Sequence, residues 1–599
     1  MSKMKMIQTI VLAIIIAVFI LHTLSLSFTQ DDAYISYRYA HNYLAGEGLV
    51  FNEAERVEGY TNFFFIILMI FLGNIGLNFI LLSKIIGLVS GVGIIFILYL
   101  WSGELEAFKS FSIFRLSASF LLAINSAFAY WAISGLETVF FSFMIMLGLY
   151  LAVNRKFISV PVLALATLIR PEGGLVFIFV ILFYLAGKKT DFRYIMTALF
   201  VYCSLVVPHL IFRMVYYNDI LPNPFYAKTG WSMEYMSTGL SYFWAFLKHY
   251  GLYGLLLIVP VLFIRKLDKR LTLPAIISLA YIIYIIIIGG DVLYGARFFV
   301  PVLPFLYLLF SNSILKSAGY LPKLQSMVFS GTFIAIGLIT FILPYSWLQT
   351  IRQNELALVE SMKQQAAIIN SQTHKRLTIA CTTIGAFGYY GNFNLIDMLG
   401  LTDKTIAKNP QRIAGIKSSW KERNYNIRYL MQRQPDLILF STGIKPSAPA
   451  EKALFLSSRF RSGYYPIFQE GQGLWTVFRK KGGEMGDDIY YPSAEFINQY
   501  TTALNFLNKK KYQLAEEFAN RSIKNSPPDF YLPYLALGDI MIDLKNYEKA
   551  VSYFSQSLDI SGNCSMLAAH RLAQFFEMVG DSATANNYYD IVFKGNRLY

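Results

Sequence analysis

DDAYISYRYAHNYLAGEGLVFNEAERVEGYTN, Asp31 to Asn62, sits directly behind the apolar run Met6 to Phe28, which is long enough to cross a bilayer. Two adjacent carboxylates at the mouth of a membrane span are costly there and mark a site. Behind them come Arg38, Glu53, Glu55, Arg56 and Glu58, with Tyr34, Tyr37, Tyr39, Tyr43 and Tyr60 interleaved. A helix from Asp32 to Leu44 puts Asp31 and Arg38 on one face and Ala33, Tyr37 and Ala40 on another. Gly46 and Gly48 then end it. A carboxylate pair, guanidinium groups and aromatic faces are the parts a sugar-phosphate site needs. The bland alternative is a solvated loop, and the pairing of the acids against the lipid surface weighs against it.

Working outward, hydrophobic residues make up 55% of the chain and charged ones 15%, a membrane composition. The net charge of +15 carries no nucleic-acid motif with it, so it is assigned to orientation and lipid contact. Cys203, Cys381 and Cys564 lie far apart, which excludes a disulfide framework and a cysteine zinc site. Met1 to Phe28 is read as an uncleaved first span. Further apolar segments are Ile80–Trp101, Ile113–Trp131, Val139–Val153, Ile158–Ile169, Leu175–Ala186, Tyr194–Val215, Tyr242–Ile264, Leu273–Gly289, Phe298–Asn312 and Met327–Trp347.

Asn62–Leu72 is also apolar, and counting it as a full span inverts everything after it. Placed at the interface or re-entrant, it leaves Lys109, Arg115, Arg155, Lys156, Lys188, Lys189, Arg193, Arg265, Lys266, Lys269, Arg270, Lys316 and Lys323 all on the cytoplasmic side. The expectation is therefore a polytopic α-helical membrane protein of about eleven spans plus one interfacial helix. Asp31, Asp32, Glu137, Arg170, Glu172, Asn218–Lys228, Asp291, Arg297 and everything after Trp347 then face outward.

The sequence predicts three domains: 1–347 in the membrane, an external α/β domain over 348–490 and helical repeats over 493–599. Strands are expected at Leu377–Ala380, Asn394–Met398, Leu437–Phe440 and Leu474–Phe478. Ile384 to Gly388 has neither phosphate-loop nor dinucleotide spacing. In the tail, Ala515, Ala550 and Ala585 recur every 35 positions, close to the roughly 34-residue period of tetratricopeptide pairs. Such repeats either present a partner-binding face or act as a structural cap.

The motif DDAYISYRYAHNYLAGEGLVFN-x-x-ERVEGYTNF resembles the first external loop of bacterial GT-C membrane glycosyltransferases, among them the cell-wall terminal β-(1→2) arabinofuranosyltransferases. SGLET (Ser134–Thr138), RPEG (Arg170–Gly173), LPNPFYAK (Leu221–Lys228), GGD-x₅-RFFVPVLP (Gly289–Pro304) and IDMLGLTD (Ile396–Asp403) repeat that pattern in order. The resemblance implies the GT-C fold, a polyprenyl-phosphate sugar donor and a glycan or glycoconjugate acceptor. It also implies a bacterial inner membrane with the active site facing the periplasm or exterior.

The chemistry needs a base for the acceptor hydroxyl and cations for the departing phosphate. The base is assigned to Asp31 and Asp32, with Asp32 preferred; the pair could also hold a divalent metal. Arg38, Arg170 and Arg297 are the expected phosphate ligands. Glu58, Tyr60, Glu137, Glu172 and Asp291 are expected to contact substrate, and Asn223, Tyr226 and Lys228 to shape the rim. Two structural alternatives stand beside these roles: Arg170-Pro171-Glu172-Gly173 as a tight turn, and Asp291 with Arg297 as an ion pair. Whole-protein alternatives are a lipid-linked glycan ligase, a transporter or flippase, and a scaffold whose tail recruits envelope proteins.

Overall fold

The computed structural model describes the chain apart from residues 1–2, 110–111, 188–191, 229–232, 252–253, 265–266, 319–324, 417–423, 470–474, 484 and 598–599. Lys188, Lys189, Arg265, Lys266 and Lys323 of the charge pattern lie outside the described residues, as does the first residue of the expected strand Leu474–Phe478. The chain forms two compact units. One comprises Met1–Pro222 and Thr229–Ser361, the other Asn223–Lys228 and Met362–Tyr599.

In chain order the helices up to the boundary are α1 (Lys3–Ser25), α2 (Asp31–Leu44), α3 (Phe63–Gly73), α4 (Phe79–Glu104), α5 (Ser117–Ala123), α6 (Ser126–Ala132), α7 (Thr138–Val153) and α8 (Ser159–Ile169). They continue as α9 (Glu172–Leu185), α10 (Phe192–Tyr217), α11 (Asn223–Lys228), α12 (Met233–His249), α13 (Leu255–Leu262), α14 (Thr272–Ile287), α15 (Leu303–Ala318) and α16 (Gln325–Gln372). All but α11 belong to the first unit, although α16 runs on past its last residue.

Among the described residues, five helical stretches are long and apolar enough to cross a membrane: Lys3–Ser25, Phe79–Glu104, Phe192–Tyr217, Lys269–Ile287 and Ser330–Gln372. A sixth forms if Ser112–Ala123 and Ser126–Ala132, bent by 64°, count as one. Five shorter apolar helices accompany them: Phe63–Gly73, Thr138–Val153, Ser159–Ile169, Glu172–Leu185 and Leu303–Lys316. This is a multi-pass membrane protein. Its long helices turn apolar side chains outward, as Phe200 (73% exposed) and Val215 (78%) do on α10, a surface suited to hydrocarbon and not to water.

Two expected spans are not single straight helices. Ile113–Trp131 breaks at Asn125, whose Oδ1 accepts the Phe128 N–H (2.9 Å) to start α6 while Nδ2 donates to the Tyr307 hydroxyl (2.8 Å). Tyr242–Ile264 divides into α12 and α13, with Gly254 in the left-handed region at φ +94° before the second helix. α3, at 11 residues, rises only about 16 Å, roughly half of a bilayer core.

The second unit holds a five-stranded sheet in the order β2-β1-β3-β5-β4. Its strands are β1 (Thr378–Cys381), β2 (Asn394–Asp397), β3 (Leu437–Leu439), β4 (Tyr464–Gln469) and β5 (Trp475–Lys480). β1 pairs in parallel with β2 and β3, and β5 is antiparallel to β3 and β4. The sequence reading missed β4, because Tyr-Tyr-Pro-Ile-Phe-Gln carries Pro466; proline is tolerated there since β4 is an edge strand.

Short helices α17 (Gly385–Tyr390), α18 (Lys404–Lys408), α19 (Ile427–Arg433), α20 (Pro449–Leu454) and α21 (Ser458–Gly463) connect the strands. Three consecutive helix pairs follow: α22 (Glu495–Asn508) with α23 (Tyr512–Asn525), α24 (Leu532–Asp543) with α25 (Tyr547–Ile560), and α26 (Met566–Met578) with α27 (Ser582–Gly595). Ala515, Ala550 and Ala585 are buried at the start of the second helix of each pair. Asn596 closes the edge of the sheet as a strand would. It accepts the Phe468 N–H on Oδ1 (2.7 Å) and donates Nδ2 to the Phe468 carbonyl (2.6 Å).

Candidate functional site

α2 starts at Asp31, which is buried, while Asp32 is partly exposed. Motifs far apart in sequence hold this helix in place. The Gln30 N–H donates to the Ser134 carbonyl (2.9 Å) of the SGLET segment. The Tyr37 hydroxyl pairs with Ser83 Oγ (2.5 Å) and donates to the Gly135 carbonyl (3.2 Å). Gly135 has φ +86°, and a Cβ there would lie 2.4 Å from Tyr37 Oη, so both the backbone and the space require glycine.

Arg38 faces the loop that follows its own helix. Nε donates to the Phe51 carbonyl (2.7 Å), Nη2 to Asn52 Oδ1 (3.4 Å), and the guanidinium lies 4.4 Å from the Phe51 ring centre.

A connected polar network runs from α2 to Arg170. Ser36 Oγ lies against the Asn62 side chain, whose Nδ2 donates to Glu137 Oε2 (3.0 Å). Arg170 donates to Glu137 Oε1 (3.0 Å) and to Glu172 Oε1 (2.9 Å). Helix α8 ends at Ile169 with Arg170 extended, as the residue before a proline favours, and Pro171 is the N-cap of α9. A Cβ on Gly173 would lie 2.5 Å from the Thr167 backbone nitrogen, so this glycine lets α8 and α9 close on Arg170.

Arg297 makes a two-point pair with Asp291, Nε to Oδ2 at 2.6 Å and Nη2 to Oδ1 at 2.9 Å. The Arg170 and Arg297 guanidinium carbons lie 5.1 and 5.3 Å from the same Phe298 ring. Glu137, Glu172, Asp291, Arg170 and Arg297 therefore gather round one aromatic ring as three acids and two guanidiniums. Oε2 of the buried Glu172 has no hydrogen-bond partner among the described residues.

Two further groups of expected residues make contacts of their own. Glu58 is taken by Arg213 through two bonds, to Oε2 at 2.5 Å and Oε1 at 3.1 Å, with His209 Nε2 3.8 Å away. Burial pushes its carboxyl up to about 7 against the pull of that guanidinium. The Tyr60 hydroxyl pairs with Tyr217 (3.0 Å). Asn223, Tyr226 and Lys228 belong to the second unit. There Asn223 Nδ2 donates to the carbonyls of Gly400 (2.7 Å), Leu401 (3.1 Å) and Asp403 (3.2 Å), all within the IDMLGLTD turn, and the Tyr226 carbonyl accepts from Asn424 (3.1 Å). In the same turn, burial pushes the Asp397 carboxyl up to about 6, against N–H bonds from Leu399 and Thr402 that pull it down.

Several members were not anticipated: Asn62, Arg213, His209, Lys84, Arg352 and Glu355. Lys84 was visible as a lone lysine inside an apolar run; the others are legible only in space. Lys84 Nζ lies 3.4 Å from Ser27 Oγ and Arg352 Nε donates to the Ser27 carbonyl at 2.9 Å. Among the described residues neither cation forms an ion pair, unlike Arg170, Arg213 and Arg297. Among those residues there is also no group of three or more His, Cys, Asp or Glu arranged to hold a metal.

Residues 349–529 match the model of a family described as a domain of unknown function (DUF8728). No curated protein matches the chain. Among solved structures, it is similar to ArnT from Cupriavidus metallidurans in the apo state, with 12% identity and a TM-score of 0.48 over 80% of this chain and 99% of that chain. It is also similar to the same protein bound to undecaprenyl phosphate, with 10% identity and a TM-score of 0.46 over 72% of this chain and 92% of that one.

Proposed function

We propose that this chain is a GT-C membrane glycosyltransferase. It moves a sugar from a polyprenyl-phosphate donor to an envelope glycan or glycoconjugate on the membrane face away from the cytoplasm. The observation that carries the reading is the continuous polar path from α2, which bears Asp31 and Asp32, through Ser36, Asn62 and Glu137 to Arg170. Residues resembling separate motifs of one glycosyltransferase family form that path among apolar helices, where uncompensated polar groups are expensive.

In this reading the acceptor hydroxyl gives its proton to the Asp31–Asp32 pair as its oxygen attacks the anomeric carbon. The bond from that carbon to the phosphate oxygen breaks, and the lipid phosphate leaves with the electron pair. The Arg170–Arg297 cluster carries one more acid than guanidinium, so an anionic phosphate gains little there. Lys84 and Arg352, whose charges no acid among the described residues takes up, are the better phosphate partners, and both reach Ser27 just before α2. Glu172 Oε2 and its neighbours then accept sugar hydroxyls, with Arg170 and Arg297 fixing the carboxylates. A divalent metal at the Asp pair would add Lewis-acid assistance to the same step. The tail helix pairs resemble tetratricopeptides and brace the sheet edge through Asn596.

Purified protein in lipid vesicles, given a polyprenyl-phosphate donor with labelled sugar, tests this. Asp31→Asn and Asp32→Asn are expected to lower transfer by roughly 10²- to 10⁴-fold at the more important position. Wild-type turnover by both variants rejects the site.

A further inference from the structure

The first turn of α2 carries the Asp31–Asp32 pair, and its cap is not local. Gln30 occupies the N-cap with extended backbone (φ −69°, ψ 139°), and its side chain caps nothing. The open N–H groups of a helix start are normally met by a Ser, Thr, Asp or Asn at that position. Here the Asp31 N–H donates to Glu355 Oε1 at 2.7 Å, across 324 positions of sequence. One turn earlier on the same helix, Arg352 holds the Ser27 carbonyl. With Gln30 bound to Ser134, the short link from α1 to α2 is fixed at three points by residues remote from it.

A carboxylate is a costly group for this task. It brings a third acid beside Asp31 and Asp32, where like charges disfavour one another. A serine at position 30 would cap the turn without that repulsion. What Glu355 supplies and a local cap does not is a fixed relation between the acidic turn and α16. Misplacing a reacting group by about 1 Å can cost 10²-fold in rate.

We propose that Glu355 is a positioning residue for the Asp31–Asp32 pair, accepting the Asp31 N–H from α16 and so fixing where the two carboxylates point. It acts through hydrogen-bond acceptance and not through its charge. This rests on the reading of the pair as the catalytic base.

The test uses full-length protein in lipid vesicles, with the labelled-sugar assay and amide hydrogen exchange over residues 31–34. Glu355→Ala is expected to lower kcat by about 10- to 100-fold while the donor KM stays within about 3-fold. Glu355→Gln, which keeps an oxygen acceptor, should stay within about 3-fold of wild type. Gln30→Ser added to Glu355→Ala should leave the rate low, because a local cap meets the N–H groups of positions 32 and 33 and does not restore the tie to α16. Full recovery by that variant would overturn the proposal. Exchange over 31–34 should rise in Glu355→Ala. Glu355→Met, of similar length without an acceptor, repeats the test if the alanine variant does not fold.

A glutamine variant as inactive as the alanine variant overturns the proposal, because the charge or proton then matters. So does an alanine variant with wild-type rate or unchanged exchange. Asp31→Asn and Asp32→Asn are run alongside. If both transfer at the wild-type rate, the base assignment falls, while exchange over 31–34 still decides whether Glu355 caps α2.

Discussion

Both units bury carboxylates, but they satisfy them in different ways. In the first unit Glu137 and Glu172 are held by Arg170, Asp291 by Arg297 and Glu58 by Arg213, all side chain to side chain between separate segments. In the second, Asp397 accepts the N–H groups of Leu399 and Thr402 in its own turn. Glu451, fully buried, accepts Thr382 Oγ1, the Ser441 N–H, the N–H and Oγ of Ser447, and the Ala448 N–H. A carboxylate saturated by backbone donors is a fastener for loops and has no capacity left for a ligand. One held by a guanidinium can exchange partners and, as at Glu172 Oε2, can leave an oxygen without a hydrogen bond among the described residues. The first kind suits a structural role, and the second suits the site proposed above.

The sharpest way to break this contrast is Arg170→Ala. It strands two buried carboxylates, and removing one partner of a buried pair typically costs about 3–5 kcal/mol. Transfer should fall by about 10²-fold or more, while Arg170→Lys, which lacks the fork needed for two acids, should recover only part of it. Thermal unfolding and the transfer assay together check both effects. An alanine variant with unchanged transfer would make the cluster structural, like Glu451.

Glu451→Ala is the counterpart. Five accepted hydrogen bonds are lost and several buried donors are left unmet, for a loss of roughly 3 kcal/mol in the second unit. Amide exchange should rise at residues 441–448, while the donor KM is unchanged. A change in KM with no change in exchange would move Glu451 into the site.

The smallest effect expected is a pH dependence at Asp397. Its folded pKa of about 6 stands above the ordinary 3.8, so folding favours the protonated form. That contribution is fully present below about pH 4 and is lost as pH rises through about 6. It amounts to on the order of 3 kcal/mol at most, for a shift of about two units. Asp397→Asn removes the titration, so the stability difference between wild type and variant should shift against wild type from pH 4 to pH 7. A difference that stays flat, measured by denaturation at both pH values, would show that the N–H groups of Leu399 and Thr402 outweigh burial.

Some of this was legible in the chain itself. RPEG announced a helix break, because proline chemistry is local. The spacing of Asp291 and Arg297 allowed an ion pair, which forms. LPNPFYAK was read as a rim for substrate. Its Asn223 binds three carbonyls of IDMLGLTD, and nothing in either motif alone says that one meets the other. Arg38 was read as a phosphate ligand, and its bond to the carbonyl of Phe51, thirteen positions on, was not legible in the chain.

The sequence by itself determined what depends on local order. Apolar runs set the membrane character, alanines at 35-position intervals set the repeating helix pairs, and glycine and proline set the breaks, because each follows from one segment's solvation or backbone freedom. Only the tertiary structure decided which charge meets which: Asn62 with Glu137, Arg213 with Glu58, and Glu355 with Asp31. The reason is physical. An ion pair or hydrogen bond is fixed by a distance of about 3 Å in space, and no periodicity along the chain records which remote helix will supply the other half.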